Sequence, residues 1–349
     1  MDVPRTTIAV AGSGDDAEQA ARALRGVDGV EVTRISGASE EELLEQLSRG
    51  ELDAIAFVTP AADLAGSLRR TLMANRHAMV IGPAALSAKQ LLSLDELARR
   101  RSRVVCFDAG YGGDERVAFV RKMTASPGAL WRPRYVRATR AGADERGIDE
   151  LAIGEIACVL SIMGAQPSRV SAVAPRIDDE TGDVGAMMLT MTFDGGPVAT
   201  VDVSVIEPMP RREIVVACEG RTVVLDAFDA RTPLQIQAVG RYVGPQAGHA
   251  WSETVTEYPA PAARDRLAAS AEAFVTAVRA RDLEAVNLRG MAHAALVLET
   301  ARESIARGGE MLDVAPDAGR RPDLQVIVGG GKREGGGAPP ELTVVRGTR

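Results

Sequence analysis

The residues of this chain best suited to chemistry lie at turns after short apolar runs. Gly12-Ser13-Gly14-Asp15-Asp16-Ala17 is a G-x-G-x-x-A turn between an apolar run and a helical stretch. Its glycines permit a tight bend and let a diphosphate approach the amides of the helix start. Asp15 and Asp16 put carboxylates beside that position, and the acid expected some twenty residues later for a ribose is absent. Arg34 and Ser36, at the end of the second apolar run, suit a 2′-phosphate instead. NAD or NADP binding is therefore expected to be weak or absent. Asp108 and Tyr111 follow the fifth run, at the edge where ligands of such sheets settle, as acid/base candidates or as ordinary loop residues. His77, just before the fourth run, reads as packing or capping, and Asp114 and Glu115 as caps of the helix through Ala118–Met123.

Other chemistries are excluded. Three histidines and three scattered cysteines show no metal-ligand spacing, so no metal site is expected. There is no phosphate-binding G-x-x-x-x-G-K-[ST] loop and no G-x-S-x-G nucleophile elbow. A net charge of −7 with 3% aromatics argues against nucleic acid as a partner. No apolar run approaches the ~18 residues of a membrane span, and a strand-like run at Thr7–Val10 takes the place of a signal peptide. With Cys106, Cys158 and Cys218 forming no disulfide pattern, a cytoplasmic location is expected.

The elements that must hold these residues fall into two patterns. Up to about residue 125, Thr6–Ala11, Val30–Ile35, Ala54–Val58, Ala78–Ile81 and Val104–Phe107 alternate with helical stretches at Asp15–Leu24, Glu40–Ser48, Leu64–Ala74 and Ala88–Arg100. That order predicts a doubly wound parallel sheet, a Rossmann domain over 1–125. Residues 126–314 read as an α+β domain on an open, mostly antiparallel sheet. Strands are predicted at Arg134–Thr139, Arg169–Val173, Met187–Phe193, Val198–Val205, Ile214–Cys218, Thr222–Ala227 and Leu234–Val239. Ala199, Val201, Val203 and Val205 alternate with polar residues, the mark of a sheet wet on one face. A helix is expected over Ile148–Met163, and two C-terminal helices at Arg264–Arg279 and Gly290–Ala306 are assigned to this domain. Residues 315–349 read as a glycine-rich tail or an added hairpin.

Several segments together resemble the Gfo/Idh/MocA family of NAD(P)-dependent oxidoreductases. Leu52-Asp53-Ala54-Ile55-Ala56-Phe57-Val58-Thr59-Pro60 is similar to the family's "DAVxIxTP" signature. Asn75-Arg76-His77-Ala78-Met79-Val80, ending in Ile81-Gly82-Pro83, is similar to its "GKHVxxEKP" segment. The likeness continues through Gly128-Ala129-Leu130, Tyr135-Val136-Arg137 and the C-terminal helices, covering roughly 6–314. It implies a Rossmann domain followed by an open sheet through which copies of the chain associate as a homo-oligomer. It also implies a cofactor site including Gly12, Ser13, Gly14, Ala17, Thr59, Pro60 and Gly82.

The resemblance breaks at the positions of catalysis. Gly82 stands where the family carries its lysine. Ala61, Ala62 and Leu64 replace polar positions after Thr59-Pro60. In the family's D-x-G-x-H-x-x-D helix, aligned on Gly154, the acid/base positions read Ala152, Ile156 and Val159. With Met163 they form one apolar helix face, suited to a packed interior or to an apolar ligand in the substrate pocket. Glu155, about 100° off that face, reads as a further acid/base candidate or as a surface residue, solvated or ion-paired. The expected function is a family scaffold without its hydride-transfer machinery, as a non-redox biosynthetic enzyme or an accessory subunit. The partners would be a small molecule or another protein. The alternatives are an atypical NAD(P)-dependent oxidoreductase, using Asp108 or Tyr111 on a sugar-like or less polar substrate, and a pure interaction module.

Overall fold

The computed structural model describes residues 5–35, 47, 50–61, 63–82, 84, 86–108, 114–126, 131–142, 147–175, 184–227, 234–238, 256–257, 265–283 and 287–314. In chain order the elements are β1 (Thr6–Ala11), α1 (Gly14–Arg25), β2 (Val30–Ile35), β3 (Ala54–Val58), α2 (Leu64–Met73), β4 (His77–Ile81), α3 (Ala88–Arg101) and β5 (Val105–Asp108). There follow α4 (Glu115–Thr124), β6 (Pro133–Ala141), α5 (Ile148–Met163), β7 (Arg169–Val173), β8 (Ala186–Thr192), β9 (Val198–Ser204), β10 (Arg211–Cys218), β11 (Arg221–Asp226), β12 (Leu234–Ala238) and β13 (Thr256–Glu257). The last are α6 (Arg266–Ala280), α7 (Leu288–Ala306) and β14 (Leu312–Asp313). They group into two compact units: the described residues within 1–115 and 264–299, and those within 116–263 and 300–320.

The first unit is built on a five-stranded parallel sheet in the order β2-β1-β3-β4-β5. β3 and β4 are buried along their whole length, as uninterrupted apolar strands must be when both faces are covered. α1 covers the sheet with Ala17, Ala20, Ala21 and Leu24, the spacing of one helical face. Ser87 and Gln90 close a capping box at the start of α3. His77 is buried where β4 begins, and its Nδ1 accepts the Val104 amide at 2.9 Å. That bond ties the starts of β4 and β5 together and gives His77 the structural role expected of it.

The C-terminal helices depart from the expected boundary. α6 and the first part of α7 belong to the first unit, not to the second. Ala271, Phe274 and Val278 of α6 share a core with Ile8, Leu24, Met79 and Val104. Arg279 donates to the Thr6 hydroxyl at 3.1 Å and to the Asp28 carbonyl at 2.6 Å. The Asn287 side-chain amide both donates to and accepts from the Phe107 backbone, pairing the open edge of β5 as a further strand would. A helical apolar face shows that something is covered without specifying which sheet.

The second unit is a nine-stranded sheet in the order β13-β12-β11-β10-β6-β9-β8-β7-β14. β6 and β9 run parallel, and the other neighbours pair antiparallel. Alternation sets its faces: Val136, Ala138, Leu189, Ala199, Val201, Ile214 and Val216 are buried, while Arg137 and Met188 point to the other, exposed side. α5 packs on β6, β8 and β9. The expected Asp194-Gly195-Gly196 turn joins β8 to β9, with both glycines at positive φ, 83° and 97°. Of the predicted Glu40–Ser48 helix, only Leu47 falls within the described residues, helical and buried. The tail 315–349 lies outside them.

Candidate functional site

The carboxyl edge of the five-stranded sheet is where a parallel sheet presents its ligands. β1 ends there in Gly12, with φ at +153°, and Gly14 opens α1 with φ at +76°. A Cβ at Gly12 would lie 2.9 Å from the Val58 Cβ, so the close approach of this turn to β3 requires glycine. Ala17 is fully buried one turn into the helix. Ser13 holds the N-cap position, yet its side chain bonds none of the first helical amides. The first turn of α1 thus offers its amides outward, a ready position for an anionic group.

Two features oppose tight binding of such a group. Asp15 and Asp16 are exposed in that same first turn. Arg34 at the end of β2 pairs with Glu18 of α1 at 2.6 Å rather than standing ready for a 2′-phosphate. Ser36 lies outside the described residues.

At the ends of β3 and β4 the arrangement is unlike a proton-transfer site. The Thr59 amide and hydroxyl both donate to the Ile81 carbonyl, at 3.0 and 3.2 Å. Gly82 follows with φ at +100° and donates its amide to the Asp108 carbonyl at 3.0 Å. A Cβ placed on Gly82 would overlap the Thr59 hydroxyl oxygen. Position 82 is therefore closed twice, by a backbone conformation that L side chains rarely adopt and by the oxygen beside it. The letter Gly82 is legible in the sequence; the role of Thr59 in fixing it is not. Pro60 follows Thr59 through a cis bond. Asp108 ends β5, half-buried and in register with Ile81, so it stands at this edge as expected. Tyr111 lies outside the described residues.

In the second unit, Ala152, Ile156 and Val159 are fully buried on α5, and Met163 is half-buried. Eleven of the sixteen residues of α5 are buried, as befits a helix apolar almost all round. Glu155 corrects the sequence expectation. It is ion-paired but not at the surface: its carboxylate is fully buried, 3.2 Å from Arg212 of β10 and 3.5 Å from Arg140 of β6. Position 155 lies three residues after 152 and four before 159, and those spacings put it beside the same helical face. The two arginines were missed because each sits alone in a strand that otherwise reads as ordinary alternation. Among the described residues no group of acidic, histidine or cysteine side chains is placed to hold a metal ion. The three cysteines are buried and form no disulfide, and burial pushes the Cys218 thiol up to about 11.

No protein-family model matches the sequence, and no curated protein matches it. Solved structures do match. The UDP-N-acetylglucosamine 3-dehydrogenase GnnA from Acidithiobacillus ferrooxidans aligns with a TM-score of 0.70 at 21% identity, over 87% of this chain and 99% of its own. GenD2 from gentamicin A biosynthesis, solved in complex with NAD, aligns with a TM-score of 0.71 at 17% identity, over 90% and 97%. An NAD-binding protein from Listeria innocua aligns at 0.68 and 16%, over 89% and 98%. The fold is theirs. Its parallel sheet and its mostly antiparallel sheet are the two-domain architecture that the sequence led one to expect.

Proposed function

We propose that this chain is a member of the Gfo/Idh/MocA family that binds a nicotinamide dinucleotide weakly on its first turn and does not carry hydride transfer through the family's acid/base positions. It would act as a non-redox biosynthetic enzyme or as an accessory subunit of an active partner. The observation that carries this reading is Gly82, whose φ of +100° and whose contact with Thr59 leave no room for the lysine the family uses. Ala152, Ile156 and Val159 support it, because they offer hydrocarbon where a polyol would need hydrogen bonds.

The glycine turn fits a dinucleotide. The backbone amides of Ser13, Gly14 and their neighbours would hold the diphosphate, with Gly12 allowing the close approach. When bound, the nicotinamide supplies a hydride acceptor or donor. Asp15 and Asp16 set the affinity low by like-charge repulsion. The open face of the nine-stranded sheet supports self-association of the chain, and three cysteines outside any disulfide support a cytoplasmic location. Among the described residues no helix is long and apolar enough to cross a membrane.

A second reading, an NAD(P)-dependent oxidoreductase with a different proton donor, is favoured by one observation: Asp108 stands at the same edge, its carbonyl bonded to the Gly82 amide. Titration of NADH and NADPH by calorimetry and melting separates the possibilities. A ligand at 100 times its Kd adds ~2.7 kcal/mol of stability. The proposal expects saturable weak binding that strengthens in Asp15→Asn/Asp16→Asn. Absence of binding at millimolar concentration in both proteins overturns the cofactor part, and substrate-dependent nicotinamide reduction overturns the rest.

A further inference from the structure

At the amino edge of the five-stranded sheet three arginines lie near one another, and among the described residues none of them pairs with a carboxylate. Arg76 directly precedes β4, and Arg103 lies two residues before β5. The β4–β5 register, Ala78 opposite Val105, brings these two positions side by side. Arg281 closes α6 in the left-handed conformation, with φ at +52°. The bonds these guanidinium groups make run to backbone carbonyls. Arg103 donates to Asn75 at 2.7 Å and to Ser102 at 3.0 Å, and Arg76 donates to Gly50 at 3.2 Å. Among the described residues none of the three has a carboxylate within ion-pair distance.

Several other arginines of the unit do meet carboxylates. Arg34 pairs with Glu18, Arg70 with Asp63, Arg99 and Arg289 with Asp95, and Arg5 with Glu31. The repulsion inside the cluster is felt by its members. Arg103 is held below the ordinary arginine range by burial, then by Arg281 and Arg76. His77 beneath it is lowered to about 4, by burial first and then by Arg103, with Arg281 adding to the effect and Asp53 opposing it. Asp53 itself accepts the Thr7 amide at 2.8 Å. In a chain of net charge −7, such a concentration of positive charge, with no carboxylate paired to it among the described residues, is a place for an anion from outside.

We propose that Arg76, Arg103 and Arg281 form an oxyanion site for a phosphate group, taken as free phosphate or as the phosphate of a small monoester. Guanidinium forks match the paired oxygens of a phosphate. The site is separate from the glycine turn: β4 runs its five residues between the two edges, roughly 16 Å at ~3.3 Å per residue. It is argued independently of the dinucleotide reading.

The test uses the full chain with inorganic phosphate, sulfate and glycerol phosphate, each against chloride at equal ionic strength. Wild-type protein should show a saturable rise in melting temperature with all three anions. In sulfate, the His77 imidazole, followed by NMR, should titrate at a higher pH than in chloride. Arg281→Gln, at an exposed position, should bind each anion at least tenfold more weakly and lose the His77 response. Arg103→Gln should do the same. Tighter binding of glycerol phosphate than of inorganic phosphate would assign the site to a monoester, and the reverse to the free ion. A response that survives unchanged in both variants, or that chloride reproduces, overturns the proposal. Because His77 lies at the amino edge, phosphate caught on the glycine turn would leave its titration unmoved.

Discussion

Two places where the resemblance to the Gfo/Idh/MocA family expects a proton-transferring side chain hold none, for different physical reasons. At Gly82 the backbone itself excludes a side chain, through a positive φ and the Thr59 hydroxyl. On α5 the side chains at positions 152, 156 and 159 are present but are hydrocarbon, and the carboxylate beside them, Glu155, is committed to Arg140 and Arg212. The comparison teaches that a position can lack a proton-transferring side chain in more than one way. A hydrocarbon position can in principle take a polar residue at an energetic cost, whereas a position closed by backbone geometry needs its surroundings rebuilt as well.

Breaking the ion cluster should have the largest effect. Glu155→Gln leaves two arginines beside a neutral amide in a buried setting, and loss of one partner of such a pair costs about 3–5 kcal/mol. Urea unfolding would measure it; a loss under 1 kcal/mol would mean that the cluster is not a structural element. Gly82→Lys should be next, destabilised by about 1–3 kcal/mol through backbone strain alone and gaining no nicotinamide reduction. A double-mutant cycle sharpens this. Thr59→Ala should recover part of the cost of Gly82→Ala, with a coupling of about 1 kcal/mol. Strict additivity would show that the hydroxyl is not what closes the position.

Ile156→His places an imidazole in hydrocarbon and should cost about 1–3 kcal/mol for an unpaired polar group. An unchanged stability together with a titrating imidazole would show that this side of α5 is wetter than its burial implies.

The smallest effect at neutral pH is expected at His77, where it is best seen as a pH dependence. Its folded value, about 4, is below the ordinary 6.5, so the unfolded chain binds more protons in that interval. The contribution of His77 is therefore complete above pH 6.5 and is lost as pH falls through about 4. His77→Asn, which keeps an acceptor for the Val104 amide, should flatten the stability curve between those values. An identical slope would remove His77 from the account.

Much of the fold was legible because continuous apolar runs and strict alternation are direct consequences of burial on two faces or one. β3 was bounded to the residue at Ala54–Val58, and β7 at Arg169–Val173. The assignment of α6 to a unit was not legible, since a face of Ala271, Phe274 and Val278 fits any apolar partner. At the site, the missing side chain of Gly82 could be read but the reason for it could not. The sign of φ and the position of a hydroxyl twenty-three residues earlier are properties of the folded backbone. Glu155 was misread because its one-residue step from Ile156 was weighed, while its three- and four-residue spacings to Ala152 and Val159 decided its surroundings.

The most direct test of the central claim is nicotinamide absorbance followed over time, with purified protein, NAD or NADP, and a panel of sugars and cyclitols. A bound dinucleotide with no steady reduction across the panel is the result this account predicts. Sustained turnover with any one of those alcohols, abolished by disrupting the Gly12–Gly14 turn, would contradict it.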